Sequence, residues 1–144
     1  MNTANNASPP SPFEALEVWR LAHELALMVY SETERFPPRE HYGLASQLRR
    51  AAASIPANLA EGTGRGSSRE YAYFYRIAKG SVLEVRYYLR LARDLGYISV
   101  AIFDQLMIGY DRVGRMLHFL QRSLRKGSGW DVLGKDSEKS GVVR

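Results

Sequence analysis

Apolar residues recur along this chain every three to four positions in four long segments, the period of an amphipathic helix, and nowhere alternate as a half-buried strand would. The first segment carries Val18, Ala22, Leu25 and Val29, with a second strip, Trp19, Ala26 and Tyr30, beside it. So wide a stripe predicts more than one packing partner. Ser11-Pro12-Phe13-Glu14 supplies a cap, a first-turn proline and a capping-box glutamate, while Phe36-Pro37-Pro38 is a stop, which sets this helix at about 13–35. The second helix is expected over about 42–60, with an alanine run that permits close approach of a neighbour and Gly62 as its C-terminal stop.

Ser67-Ser68-Arg69-Glu70 reads as a further capping box, opening a third helix over about 68–95. Its expected apolar face is Phe74, Ile77, Ala78, Ser81, Val82, Val85, Leu89 and Ala92. After a turn at Gly96-Tyr97-Ile98-Ser99, the fourth helix, about 100–124, places Phe103, Leu106, Tyr110, Val113, Leu117, Leu120 and Leu124 on a heptad seam. Four helices on short connections predict an all-α, antiparallel up-down-up-down four-helix bundle over 13–126. A disordered segment, 1–12, and a flexible one, 127–144, with Trp130 as its candidate anchor, are expected to flank it.

Composition narrows the setting. At 144 residues the chain fits one domain that buries roughly two-thirds of its unfolded surface. It has no cysteine, which removes disulfides and thiolate metal sites and suits a reducing cytoplasm. Met1 to Pro12 is polar and lacks the basic-then-apolar order of a signal peptide, and no stretch reaches the ~20 apolar residues of a membrane span. A soluble, cytoplasmic protein without a membrane partner is the expectation, and the Asn6-Ala7-Ser8 glycosylation match is incidental. The net charge of +5 is distributed unevenly, with five Glu against Arg20 and Arg35 in residues 13–35 and six Arg or Lys against Glu70 and Glu84 in residues 69–93. An acidic first helix and a basic third one suit helix pairing, subunit pairing or a polyanionic ligand.

Candidate chemistry is sparse. A di-iron bundle needs Glu-x-x-His pairs, and none of His23, His41 and His118 follows a Glu by three residues, so no metal, cofactor or catalytic residue is expected. Gly62-Thr63-Gly64-Arg65-Gly66-Ser67-Ser68-Arg69 lacks the preceding strand and Gly-Lys-Ser/Thr ending of a P-loop. It reads as a helix stop and capped restart, or as a backbone-phosphate contact using Arg65 and Arg69. On a straight helix Arg69, Arg76, Lys79, Arg86, Arg90 and Arg93 fall within an arc of roughly 120°, with Tyr75 and Tyr87 on the same arc. Such a stripe fits a solvated or paired face, or a platform for single-stranded nucleic acid. Arg49 and Arg50, with Arg112, Arg115, Arg122, Arg125 and Lys126, enlarge the positive field. Pro56 removes a backbone donor and is expected to kink the second helix, leaving the Ala52 carbonyl to be satisfied, with Ser54 and Asn58 as candidates. Glu61 is expected to pair with an arginine, Arg50 being a candidate. The motif Ser54, Pro56, Asn58 and Glu61 is accounted for by this backbone repair or by a ligand site.

Gln47-Leu48-Arg49-Arg50-Ala51, Ser54-Ile55-Pro56-Ala57-Asn58-Leu59-Ala60-Glu61-Gly62, then Phe74, Ile77-Ala78-Lys79-Gly80-Ser81 and Glu84, with Leu16-Glu17-Val18-Trp19 before them, resemble the bacterial ribosomal-RNA intervening-sequence protein family over about 13–126. The resemblance implies a four-helix bundle assembled as a homopentameric ring. It is similar also to the accessory variability proteins of diversity-generating retroelements, which implies association with RNA or DNA and with a reverse transcriptase. The expectation is therefore a non-enzymatic homo-oligomer whose Arg49, Arg50, Arg65, Arg69, Arg76, Arg86 and Arg90 bind nucleic acid, RNA foremost. The alternative is an assembly scaffold whose charged faces set subunit packing without nucleic acid.

Overall fold

The computed structural model describes residues 17–65 and 67–126. The Ser11–Glu14 cap, both terminal segments, Trp130 and Gly66 lie outside the described residues. Four helices are present, α1 (Glu17–Thr33), α2 (Leu44–Thr63), α3 (Ser68–Asp94) and α4 (Val100–Lys126), with a short 3-10 helix at Pro38–Glu40. α1 contacts α2, α2 contacts α3, α3 contacts α4, and α4 closes on α1; α1 and α3 share no contact among the described residues. Side-chain meetings fix the directions. Arg49 reaches Thr33, Ser54 meets Ser81, and Arg86 meets Asp111, so each successive pair runs antiparallel. The fold is the expected up-down-up-down bundle.

Val18, Ala22, Leu25, Ala26 and Val29 turn α1 onto the core, at the spacing its pattern prescribes. The Thr33 hydroxyl donates to the carbonyls of Val29 (2.8 Å) and Tyr30 (3.1 Å), satisfying last-turn acceptors where the helix ends. The 3-10 helix that follows supplies an unanticipated cap for α2. Glu40 Oε1 accepts from the Leu44 amide at 2.9 Å, and its Oε2 accepts from the Tyr97 hydroxyl at 2.9 Å. One carboxylate thereby joins the α1–α2 connection to the α3–α4 turn, and the amide bond, then the Tyr97 bond, holds the Glu40 carboxyl below its usual range. In that turn Gly96 takes φ of 82°, which an L side chain rarely adopts.

Gly62 was expected to stop α2, but the helix runs past it to Thr63. A Cβ at Gly62 would come within 3.2 Å of Phe74 Cβ and 3.3 Å of the Tyr75 ring, so this glycine serves the α2–α3 contact and the chain turns only at Gly64 and Arg65. α2 stays helical through Pro56. Asn58 Nδ2 donates to the Ser54 carbonyl (2.8 Å) and to Ser54 Oγ (3.0 Å), and the Ser54 and Ser81 hydroxyls are 2.9 Å apart. Ser54 and Asn58 thus satisfy one another and bridge α2 to α3. The carbonyl they engage is that of Ser54, two residues on from the proline's gap at Ala52.

α4 presents its seam as expected, with Phe103, Leu106, Tyr110, Val113 and Leu117 all buried. Its closure on α1 is tight. A Cβ at Gly109 would lie 2.5 Å from Leu25 Cδ2, so the Leu25 side chain packs directly on the bare backbone of α4.

Candidate nucleic-acid interface

Ser67 caps α3 as the sequence predicts, accepting from the Glu70 amide at 3.1 Å, while its hydroxyl faces Glu70 Oε1 at 3.3 Å. The buried positions of α3 are Ala72, Tyr75, Ala78, Ser81, Val82, Val85, Leu89 and Ala92. They do not follow a straight line. A seam repeating every 3.5 residues drifts by about 20° per heptad, and the three successive steps of three, Ala72 to Tyr75 to Ala78 to Ser81, rotate the first turns further. Tyr75, expected beside the cations, is 2 % exposed and belongs to the core, stacked against Tyr71 with centroids 6.3 Å apart. Burial pushes its phenol up to about 12. Ile77, expected inside, lies on the exposed side. Tyr87 is 60 % exposed and stays on the surface, joined there by Tyr73, whose ring lies 5.9 Å beneath the Arg76 guanidinium. Tyr73 was legible, being three positions before one arginine and four after another.

The same helix divides its cations into two sets. In the second half, Arg86 Nη2 meets Asp111 Oδ1 of α4 at 3.2 Å and Arg90 Nε lies 3.9 Å from Asp94. Arg93 bonds Asp94 at 2.9 Å and sits 4.4 Å above the Phe103 ring. In the first half, Arg69, Arg76 and Lys79 have no carboxylate partner among the described residues. Arg76 and Lys79 line a groove of about 520 Å³ between α3 and α4, opposite His118, Gln121 and Arg122, with Leu83 and Gly80 along its side. No carboxylate appears among its lining residues. Gly80 stands mid-helix, where glycine costs about 1 kcal/mol relative to alanine, and no atom outside the helix's own backbone lies within 4 Å of where its Cβ would be.

Two of the other expected contacts, Arg49 and Arg65, have local work. Arg49 Nε donates to Thr33 Oγ1 at 2.6 Å, its Nη2 reaches the Tyr30 carbonyl at 3.2 Å and Glu34 at 3.4 Å, and its guanidinium lies 5.0 Å over the Tyr30 ring. It fastens the end of α1 to α2. Glu61 pairs with Arg65 at 2.6 Å, four positions on, and not with Arg50, which stands eleven residues back on the same helix and is therefore about 16 Å away along its axis. Arg65 also lies 5.3 Å over the Phe74 ring. Arg50 is exposed and lines a shallow depression with Tyr42, His41 and Asn58, which continues into an apolar groove of about 450 Å³ between α1 and α2. Trp19, His23, Leu27 and Ala57 line that second groove, Trp19 stacking on His23 at 5.2 Å and Leu27 being 57 % exposed. The second apolar strip of α1 is thus the wall of an open face.

Among the described residues no three His, Asp or Glu side chains converge as metal ligands would, and no helix is long and apolar enough to cross a membrane. What the α3–α4 groove offers is fixed positive charge, hydrogen-bond donors and a small apolar edge, the groups that position a phosphodiester. A sequence model described as 23S rRNA-intervening sequence protein matches residues 14–119. No curated protein sequence matches the chain. The crystal structure of a protein of unknown function from the S23 ribosomal protein family of Bacteroides thetaiotaomicron is similar in fold, with a TM-score of 0.66 at 20 % identity, covering 72 % of this chain and 97 % of that one. With the family match spanning the bundle from its first helix into its fourth, the chain belongs to the 23S rRNA-intervening sequence protein family.

Proposed function

We propose that the protein is a non-enzymatic cytoplasmic homo-oligomer that holds nucleic acid, RNA foremost, on the α3–α4 face. The observation that carries this is the charge of Arg76, Lys79 and Arg122, without a carboxylate partner among the described residues, around a groove with no carboxylate among its lining residues. Cations with no carboxylate partner among the described residues keep their charge available to a polyanion, and each phosphate they neutralise releases condensed counterions. Assembly is assigned to the apolar α1–α2 groove, with the ring of five copies implied by the family resemblance as the arrangement.

A second reading, the assembly scaffold, is favoured by the open α1–α2 face and by exposed Glu17 and Glu24 on α1, which have no carboxylate-cation partner within the chain among the described residues. Since α1 and α3 do not touch, acidic α1 and basic α3 would have to meet between subunits. The charge-reversed pair Arg76→Glu/Lys79→Glu separates the two. Nucleic-acid binding expects an oligomer of unchanged mass by light scattering and retention of RNA weakened at least about tenfold, with a salt slope lower by about two. Dispersal of the oligomer instead would establish the scaffold, and RNA retention no better than that of an acidic control protein at low salt would end the nucleic-acid reading.

A further inference from the structure

We propose that the α3–α4 groove seats one unstacked nucleotide of single-stranded nucleic acid, its base or sugar lying across Gly80 beside Leu83 and its phosphate held by Arg76, Lys79 and Arg122. This rests on the nucleic-acid reading above and adds the strand class and the contact. Two other helical glycines have their reason inside the chain, since a Cβ at Gly62 or Gly109 would press on Phe74 or Leu25. At Gly80 nothing outside the helix's own backbone lies within 4 Å of where a Cβ would stand, in the interior of a 27-residue helix where glycine is a poor choice. Nothing in the chain itself requires its bare backbone. A group approaching from outside does.

The surroundings say which group. The groove is about 520 Å³, within the roughly 300–1,000 Å³ of small-molecule sites, so a single nucleotide is of the right scale. Arg76, Lys79 and Arg122 bring positive charge to it, Leu83 is 65 % exposed and gives a flat group an apolar contact, and His118 and Gln121 bring hydrogen-bonding groups from the opposite helix. A duplex keeps its bases paired and stacked inside and offers such a depression only its phosphates. A single strand can splay one base out and lay it on the surface. Gly80 provides the clearance for that layer.

Fluorescence anisotropy of a labelled single-stranded oligoribonucleotide, and of a duplex of the same sequence, against the full chain tests this. Gly80→Leu fills the space and should weaken single-strand binding by about tenfold or more, the worth of one base contact, while leaving the duplex within about twofold. Leu83→Glu, at a position too exposed to threaten folding, should act in the same direction. Gly80→Ala should raise Tm, because the helix gains a better former in empty space, yet weaken single-strand binding. Gly114→Ala, whose Cβ would make ordinary contact with Val82 and which does not line the groove, should raise Tm and leave binding alone. A purely structural glycine would not move stability and affinity in opposite directions. The inference is overturned if Gly80→Leu and Leu83→Glu bind the single strand like the parent, if the parent prefers duplex, or if Gly80→Leu disperses the oligomer. Should those variants bind normally while Arg76→Glu/Lys79→Glu does not, the nucleic-acid reading survives and the nucleotide seat falls.

Discussion

Arg76 and Lys79 in the first half of α3 face open groove and Arg69 before them has no carboxylate partner among the described residues, whereas Arg86, Arg90 and Arg93 in the second half meet Asp111, Asp94 and the Phe103 ring. Both halves carry three cations on one continuous helix, and along the sequence they form one stripe. The difference comes from the neighbour. α4 brings Asp111 against the second half, and toward the first it brings His118, Gln121 and Arg122. A charged helix face therefore acquires its surroundings from the helix beside it, and the same spacing yields a packing contact at one end and open charge lining a groove at the other.

Tyrosine substitutions should break the comparison most forcefully. Tyr75→Ala removes a core ring in the first half and should cost about 3–5 kcal/mol in urea unfolding. Tyr87→Ala, outside in the second half, should change stability by no more than about 0.5 kcal/mol. Equal losses would mean that the rotation of the buried strip has been misread. A smaller effect is expected from Asp111→Asn, which releases Arg86 from a pair whose side chains are about two-fifths exposed. Stability should fall by only about 0.2–1 kcal/mol. RNA binding should gain a salt slope steeper by about one if the second half can be converted to the character of the first. The gentlest effect concerns acid. The folded-state pKa of Glu40 is depressed, so its stabilisation is complete above its ordinary value of 4.5 and is lost as pH falls through the depressed one. Thermal unfolding between pH 3 and pH 6 should show this loss, and Glu40→Gln should lack that part of it. Because Glu40 and Tyr97 sit at the end of the bundle remote from Arg76 and Lys79, the same variant should leave RNA affinity unchanged.

The helices, their order and most of the core were legible because a 3.6-residue period and Ser, Pro and Gly punctuation are local properties. Phe103 through Leu117 and Val18 through Val29 were placed correctly on that basis. Tyr75 and Ile77 were exchanged, since assigning a face across 27 residues requires the drift of the seam, which depends on the partners α3 winds against. Ser54 and Asn58 were expected to satisfy the Ala52 carbonyl and instead bond one another and the Ser54 carbonyl. Ser81, their partner across the helix pair, needed the α2–α3 register. The arginines were all visible, but which were engaged was not, because Asp111, Thr33 and Asp94 become partners only once α4, α1 and the helix end are in place. Gly80 lay within a motif whose spelling was plain. Its significance came from empty space, which only coordinates reveal.

In a four-helix square the α1–α2 edge and the α3–α4 edge lie on opposite sides, a consequence of α1 and α3 being diagonal. The apolar groove and the cationic groove therefore never compete for the same neighbour. A closed ring built through the first would repeat the second once per subunit at a fixed spacing, so that a strand held at one seat finds the next at high local concentration. A shallow seat of modest individual affinity would then suffice for long residence, with strand length, more than base identity, setting the strength of the grip.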